Sequence, residues 1–319
     1  MAISKKSALG VATEATSGTL ITAPTLYVPT KSMVKAMKKQ EVMDEERGDR
    51  NEEYDVVDTL RHGEWDIKGP FYPDTHGYFL QSAIGNGTSV QQASTTAYKT
   101  TYLLTDIPKS LSLYKSFDAK MYSCAYSTVE KFSIKFSSTD KLLEFDASGK
   151  SIFPAIYAGT WSPSFSTVRP FAGYAPTITL TGGASTDIDE LTINFEQKIT
   201  YWSPANASAD WITAYYGARK VSFDFTARFD SDTVYQTYFR TPQAYDTLTF
   251  DVLGAVIAST YHNELNIVIP VTNYSSMDHD LGKDNVLIKA KGKGLASGSG
   301  AGNNLIQAFT MSTVTSYSV

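Results

Sequence analysis

Glu64-Trp65-Asp66-Ile67-Lys68-Gly69-Pro70-Phe71 alternates cleanly: Trp65, Ile67, Gly69 and Phe71 fall on one face, and Glu64, Asp66 and Lys68 on the other. A period of two is that of a strand with one buried side. Pro73-Asp74 breaks the run. Tyr78, Phe79, Ser82 and Ala83 then recur at helical spacing until Gly85-Asn86-Gly87 stops a short helix. The second half of the chain repeats this order. Val221, Phe223, Phe225, Ala227 and Phe229 face one way and Ser222, Asp224, Thr226 and Arg228 the other. Asp230-Ser231-Asp232 then caps a short helix carrying Val234, Tyr235, Tyr238 and Phe239, ended by Pro242.

Outward from these anchors the chain reads as short strands. In the first half they are expected at Thr25–Pro29, Thr101–Thr105, Met121–Tyr126 and Val129–Ser137. A further one at Leu142–Phe145 is closed by a turn, Ala147-Ser148-Gly149-Lys150. In the second half they are expected at Thr177–Leu180, Leu191–Trp202, Trp211–Tyr216, Leu248–Leu253, Leu265–Val271, Val286–Ala290 and from Leu305. The halves correspond at an offset of roughly 155–160 residues, as expected of a duplicated β-domain. Residues 1–24, rich in Ala, Ser, Thr and Gly, are expected to form a flexible arm. The first domain then covers 25–158, a linker 159–176 and the second domain 177–319. Lys38, Lys39, Glu41, Asp44, Glu45, Glu46, Arg47, Asp49, Arg50, Glu52 and Glu53 form the densest charge run, which suits the tip of a projecting hairpin or loop.

Composition narrows the class. At 319 residues two domains are expected. The 28 basic and 33 acidic residues give a net charge of −5, which disfavours gripping nucleic acid or anionic lipid by bulk positive charge. No apolar run approaches the roughly 18–20 residues of a spanning helix. Lys5-Lys6 before Ser7–Ala12 imitates a secretion signal, but Gly10 and Glu14 interrupt it. Cys124 is the single cysteine, so neither an internal disulfide nor a thiolate zinc site is available.

The sequence offers no catalytic constellation. His62, His76, His262 and His279 have no metal-ligand spacing, and no nucleophile motif occurs. The acids at 187–190, 230–232 and 278–284 suit turns and caps. The last set resembles a calcium loop but lacks the third acid and the closing Glu. Gly292-Lys293-Gly294 and Gly298–Gly302 read as loop glycines rather than a phosphate cradle. No catalytic residue, cofactor or metal is expected.

The combination of a repeated β-domain, a short helix and a charged loop resembles the tail tube (major tail) proteins of long-tailed, siphovirus-type bacteriophages. The residues that carry the resemblance are Lys6–Glu14, Pro24–Pro29, Arg61-His62-Gly63-Glu64-Trp65, Tyr72–Leu80 and Leu191–Phe195. It implies a mainly β fold: two tandem β-sandwich or barrel domains, each flanked by a short α-helix, whose sheets join between neighbours to line a tube. Usual members carry one domain and form hexameric rings, so a two-domain chain implies trimeric rings with pseudo-sixfold symmetry. If the second domain is instead an outward decoration, the ring holds six chains. Partners are further copies and other tail proteins such as tape measure, terminator and tip. The site is the virion tail, with assembly in the host cytoplasm.

Within this reading the charge run from Lys38 to Glu53 pairs between stacked rings. Genome DNA passes without specific binding, so the bore is expected to be neutral or acidic, with Glu64, Asp66 and Asp224 as candidate lining residues. Trp202, Trp211, Tyr215 and Tyr216 are candidate interface aromatics. The alternative is a carbohydrate-binding or adhesin-type β-sandwich of a virion or cell surface, in which those four rings stack on sugars.

Overall fold

The computed structural model describes residues 7–43, 55–118, 120–139, 142–180, 183–185, 188–204, 209–228, 239–241, 245–281, 286–296 and 305–317. The second short helix and most of the charged tip lie outside them. The strands, numbered in chain order, are β1 (Ser7–Thr13), β2 (Leu26–Val28), β3 (Lys31–Met43), β4 (Asp55–Pro70), β5 (Gly87–Gln91), β6 (Tyr98–Tyr102), β7 (Leu111–Phe117), β8 (Met121–Ser137) and β9 (Glu144–Ser151). They continue with β10 (Ala155–Ile156), β11 (Pro176–Leu180), β12 (Gly183–Ser185), β13 (Ile188–Trp202), β14 (Thr213–Arg228), β15 (Asp246–Ala258), β16 (Tyr261–Leu281), β17 (Val286–Gly294) and β18 (Gln307–Ser312). The helix, α1, covers Gly77–Ala83 and is buried throughout.

One layer is a continuous antiparallel sheet of eight strands. Its order, from the pairwise ladders, is β3–β4–β9–β8–β13–β14–β17–β16. The first four strands and the last four follow the same sequence of connections: a hairpin, then a strand laid beside it by a later hairpin. The match extends to single residues. Trp65 faces Gly149 and Ile67 faces Ala147; Phe223 faces Gly292 and Phe225 faces Ala290. The ladders β8–β9 and β16–β17 each slip by one residue at the same place, beside Glu130 and Ser275. A β-bulge of this kind bends a strand, and β8 and β16 both leave the sheet to enter a second layer. There β8 pairs with β7, which pairs with β1, and β16 pairs with β15, which pairs with β11.

The two halves are packed together. One apolar cluster runs from Leu9 and Trp65 through Phe132 and Phe195 to Ile267 and Tyr317. β13 pairs with β8, and β18 pairs with β6 of the β5–β6 hairpin. The connection at 159–176 is not a free spacer: Phe171 is buried, its ring 5.7 Å from that of Phe71, and its carbonyl accepts from Leu143 N–H.

Three expectations need correction. The segment read as an arm contains β1, whose Leu9, Val11 and Ala12 are fully buried between β2 and β7. Its small residues allow close approach. A Cβ on Gly10 would lie 2.6 Å from Pro24, so the chain doubles back directly over it. Ala147-Ser148-Gly149-Lys150, read as a turn, lies inside β9, and Gly292-Lys293-Gly294 lies inside β17. In both, turn-like composition reflects lack of room beside an aromatic ring and a bulge.

Candidate assembly surfaces

Four features of the fold can meet another molecule: the long hairpin, the outer face of the eight-stranded sheet, its two end strands and the aromatic hairpin.

The hairpin β3–β4 is laddered from Lys31 opposite Lys68 to Met43 opposite Asp55. Beyond Ala36 nearly every residue of both strands is exposed, including Met37, Val42, Val56, Val57 and Leu60, so the outer half stands clear of the body. Lys38 and Lys39 already have partners within the hairpin: Lys38 Nζ lies 2.6 Å from Asp58 and Lys39 Nζ 2.8 Å from Glu41. The hydrogen bond from Lys38 holds the Asp58 carboxyl below its usual range, as that from Lys39 does for Glu41. Asp44, Glu45, Glu46, Arg47, Asp49, Arg50, Glu52 and Glu53 lie outside the described residues. At the hairpin's base Arg61 makes a two-pronged bond to Asp210, at 2.8 and 2.9 Å, and its N–H donates to the Ala209 carbonyl. Gly63 permits the close approach of β9 there, since a Cβ would meet Ser151 Oγ at 2.2 Å.

Glu64, Asp66 and Asp224 lie on one face of the eight-stranded sheet, opposite the buried Trp65, Ile67, Phe223 and Phe225. Asp66 and Asp224 hold the same position in the two four-strand units, each following the aromatic residue that faces a glycine. The face is not simply acidic. Lys131 lies 2.8 Å from Glu196 across the β8–β13 joint, Lys68 lies 3.5 Å from Asp146, and Lys289 pairs with Asp280. Glu196 raises the Lys131 ammonium's pKa, and Lys131 lowers that of the Glu196 carboxyl. Lys35, Lys135, Lys220, Lys291 and Lys293 share this face outside the ion pairs seen among the described residues, so acids and lysines interleave as a mixed surface rather than a field of one sign.

The four aromatics split. Trp211 is buried, with its ring 4.5 Å from Tyr126 and 4.7 Å from Tyr201, and its indole N–H donates to the Ser151 carbonyl. Tyr216 packs in the same cluster, and burial pushes its phenol up. These two are core residues, which corrects the reading of an outward platform. Trp202 and Tyr215 remain exposed. Aromatic content alone suggests a platform, but strand pairing sends alternate rings to opposite faces.

The motif residues explain themselves as packing. Glu14, buried at the end of β1, accepts from Ser110 Oγ at 2.6 Å, Ser112 Oγ at 2.9 Å, Tyr126 N–H at 2.8 Å and Gly18 N–H at 2.7 Å. Burial pushes its carboxyl up, and the four donors pull it back. His76 is wholly buried beside Phe71 and Phe145, and burial pushes its imidazole down to about 3. It is therefore neutral, and Nδ1 accepts from the Tyr72 N–H at 3.0 Å. Gly77 follows it because a Cβ would strike the Tyr317 ring at 2.4 Å. Cys124 is buried, its thiol pushed up to about 12 by desolvation, and so packs as a small apolar residue. Among the described residues no group of three His, Cys, Asp or Glu is placed to hold a metal.

An extended sheet whose end strands are unpaired among the described residues, a hairpin standing off the body and a buried framework of motif residues define a structural, assembly-forming β protein. Comparison gives the family: the model of the phage tail tube protein family matches residues 4–303, and the chain belongs to that family. It is a structural component of the virion tail. A search of curated proteins found no match.

Proposed function

We propose that this chain forms the tail tube as stacked rings of three copies, each supplying two of six equivalent wall units, and that the tube conducts genome DNA into the host. The observation that carries this reading is the repeated ladder order, β3–β4–β9–β8 followed by β13–β14–β17–β16, within one continuous sheet. An outward decoration would not share a sheet with the wall unit. Two units per chain make a three-fold ring pseudo-sixfold, with closed symmetry.

The geometry fits a DNA conduit. Eight strands from each of three chains give 24; strands about 4.8 Å apart and tilted about 40° then lie on a circle about 45–50 Å across. That leaves room for a duplex inside a side-chain lining. The lining is the face bearing Glu64, Asp66 and Asp224, where Lys131, Lys68 and Lys289 are held by Glu196, Asp146 and Asp280 and the other lysines stand among acids. A bore lined by lysines alone would bind phosphates cumulatively and hold the genome; acids interleaved with the lysines keep the field mixed and let it slide. Assembly takes place in the host cytoplasm, with tape measure, terminator and tip proteins setting length and ends.

The hairpin reaches the neighbouring ring, and its tip charges set the register between rings. Rim ion pairs of this kind contribute roughly 0–1 kcal/mol each and act by repetition. Lys39 faces Leu60 in the ladder, so replacing residues 40–59 by Asn-Gly closes a two-residue turn without disturbing the body. Concentrated wild-type protein is expected to show hollow tubes by negative-stain microscopy, and the shortened variant isolated rings. Tubes of normal length from the shortened variant would remove the hairpin's role.

A further inference from the structure

The β8–β13 joint is where one four-strand unit of the chain adds edge to edge to the other. It runs through seven residue pairs, from Glu190 opposite Ser137 to Glu196 opposite Lys131. On its inner face Phe132 and Phe195 stack at 5.1 Å, and on its outer face Lys131 and Glu196 form an ion pair. The equivalences set by Gly149 and Gly292, and by the two bulges, place β3 where β13 stands and residues 276–281 of β16 where residues 131–136 of β8 stand. In this alignment Val34 corresponds to Ile193, Ala36 to Phe195, Met277 to Phe132 and Asp278 to Ser133.

These two strands end the sheet. Among the described strands β3 is laddered to β4 alone, and β16 over 273–281 to β17 alone. An exposed edge of this length is a template for another strand. We propose that β3 of one chain pairs antiparallel with β16 of a second copy, in the register of the internal joint: Met37 opposite Ser276, Ala36 opposite Met277 and Lys35 opposite Asp278. This rests on the tube reading above and names the residues of its contact between chains.

The chemistry suits that register. Lys35 and Asp278, both exposed, meet as opposite charges on the outer face, one pair along from the place where Lys131 meets Glu196 inside the chain. Opposite charges across strands favour a register, and like charges oppose it. On the inner side Val34 and Ala36 line an open groove of about 620 Å³ with Phe117, Tyr122, Phe153 and Pro154. In the internal joint the Phe132 ring of the adjoining unit lies over Phe195, the residue that corresponds to Ala36. A second copy adding at β3 covers the groove.

The test uses the full chain with Lys35→Cys and Asp278→Cys introduced together; the native Cys124 is buried and does not compete. Directly opposed residues have Cα atoms about 4.5–5.5 Å apart, within disulfide reach. Mild oxidation of assembled protein is expected to give covalent dimers and a closed three-chain product on non-reducing gels. The pair Met33→Cys with Asp278→Cys, two residues out of register, is expected to give at least tenfold less. Separately, Lys35→Asp or Asp278→Lys alone is expected to reduce tube yield at least tenfold while the monomer's circular dichroism is unchanged, and the two together to restore it. Wild-type tubes with no cross-link at 35–278 and no rescue by the double reversal would overturn this joint and leave the tube reading standing. Wild-type protein that never forms tubes would overturn both.

Discussion

Glu14→Ala is expected to lower folding stability by about 3–5 kcal/mol, because it leaves several buried donors without an acceptor, each at a cost of about 1–3 kcal/mol before relaxation. The substitution removes the acceptor for two hydroxyls and two backbone N–H groups that come from three separate segments. Tyr126 N–H belongs to a residue at φ +51°, at the bend where β8 passes between layers, so the loss also frees a strained turn. Glu14→Gln keeps the side-chain volume but turns a donor toward donors at one oxygen, and is expected to fall between Ala and wild type. Urea titration of the purified monomer measures this. A midpoint for Glu14→Ala equal to wild type would show that water can replace the carboxylate and that β1 is not held by it.

Gly149→Val is expected to cost about 3 kcal/mol or more, at or above the upper end of what overpacking usually costs, because the nearest atom is backbone and has no side chain to yield. Even a Cβ at Gly149 would lie 1.8 Å from the Thr128 carbonyl oxygen and 3.0 Å from the Trp65 ring. The equivalent Gly292→Val is expected to cost less. There the nearest atom belongs to the Phe223 ring, at 2.3 Å, with the Asn273 carbonyl at 2.9 Å, and a ring can tilt. Both variants straighten a bulge on which the path of β8 or β16 depends, so tube yield is expected to fall with stability. Thermal unfolding distinguishes the pair; an order reversed from the one given would contradict the account of where space is lacking.

The alternating runs at Glu64–Phe71 and Val221–Arg228 are legible from sequence because one face is core and the other solvent along the whole strand. α1, buried on every side, is legible instead from its bounds: Pro73-Asp74 breaks the strand before it and Gly85-Asn86-Gly87 stops it. Strand lengths are not. The bulge at Glu130 and the register slip between Gln197 and Ile199 reset the alternation, so β8 and β14 each read as two short pieces although each strand is continuous, while β13 reads as one. Small residues mislead differently. Ser7–Thr13 and Ala147–Lys150 look like arm and turn, yet they are small because neighbours press on them, and a neighbour in space leaves no mark on local composition. The order of elements hinted at the repeat, while the β8–β13 joint, a pairing across about 60 residues, had no local signal at all. For the assembly surfaces the charged hairpin could be placed, but whether a ring of Trp202, Trp211, Tyr215 or Tyr216 faces out depends on register, which only the folded ladder supplies.

The central claim is that each chain contributes two equivalent units to one closed wall. Helical reconstruction of the assembled tube by electron cryomicroscopy measures this directly. Three chains per ring are expected, with an unbroken 24-strand wall in which β3 of each chain lies against β16 of the next. Six chains per ring, with β13–β14–β17–β16 standing outside the wall, would contradict that claim.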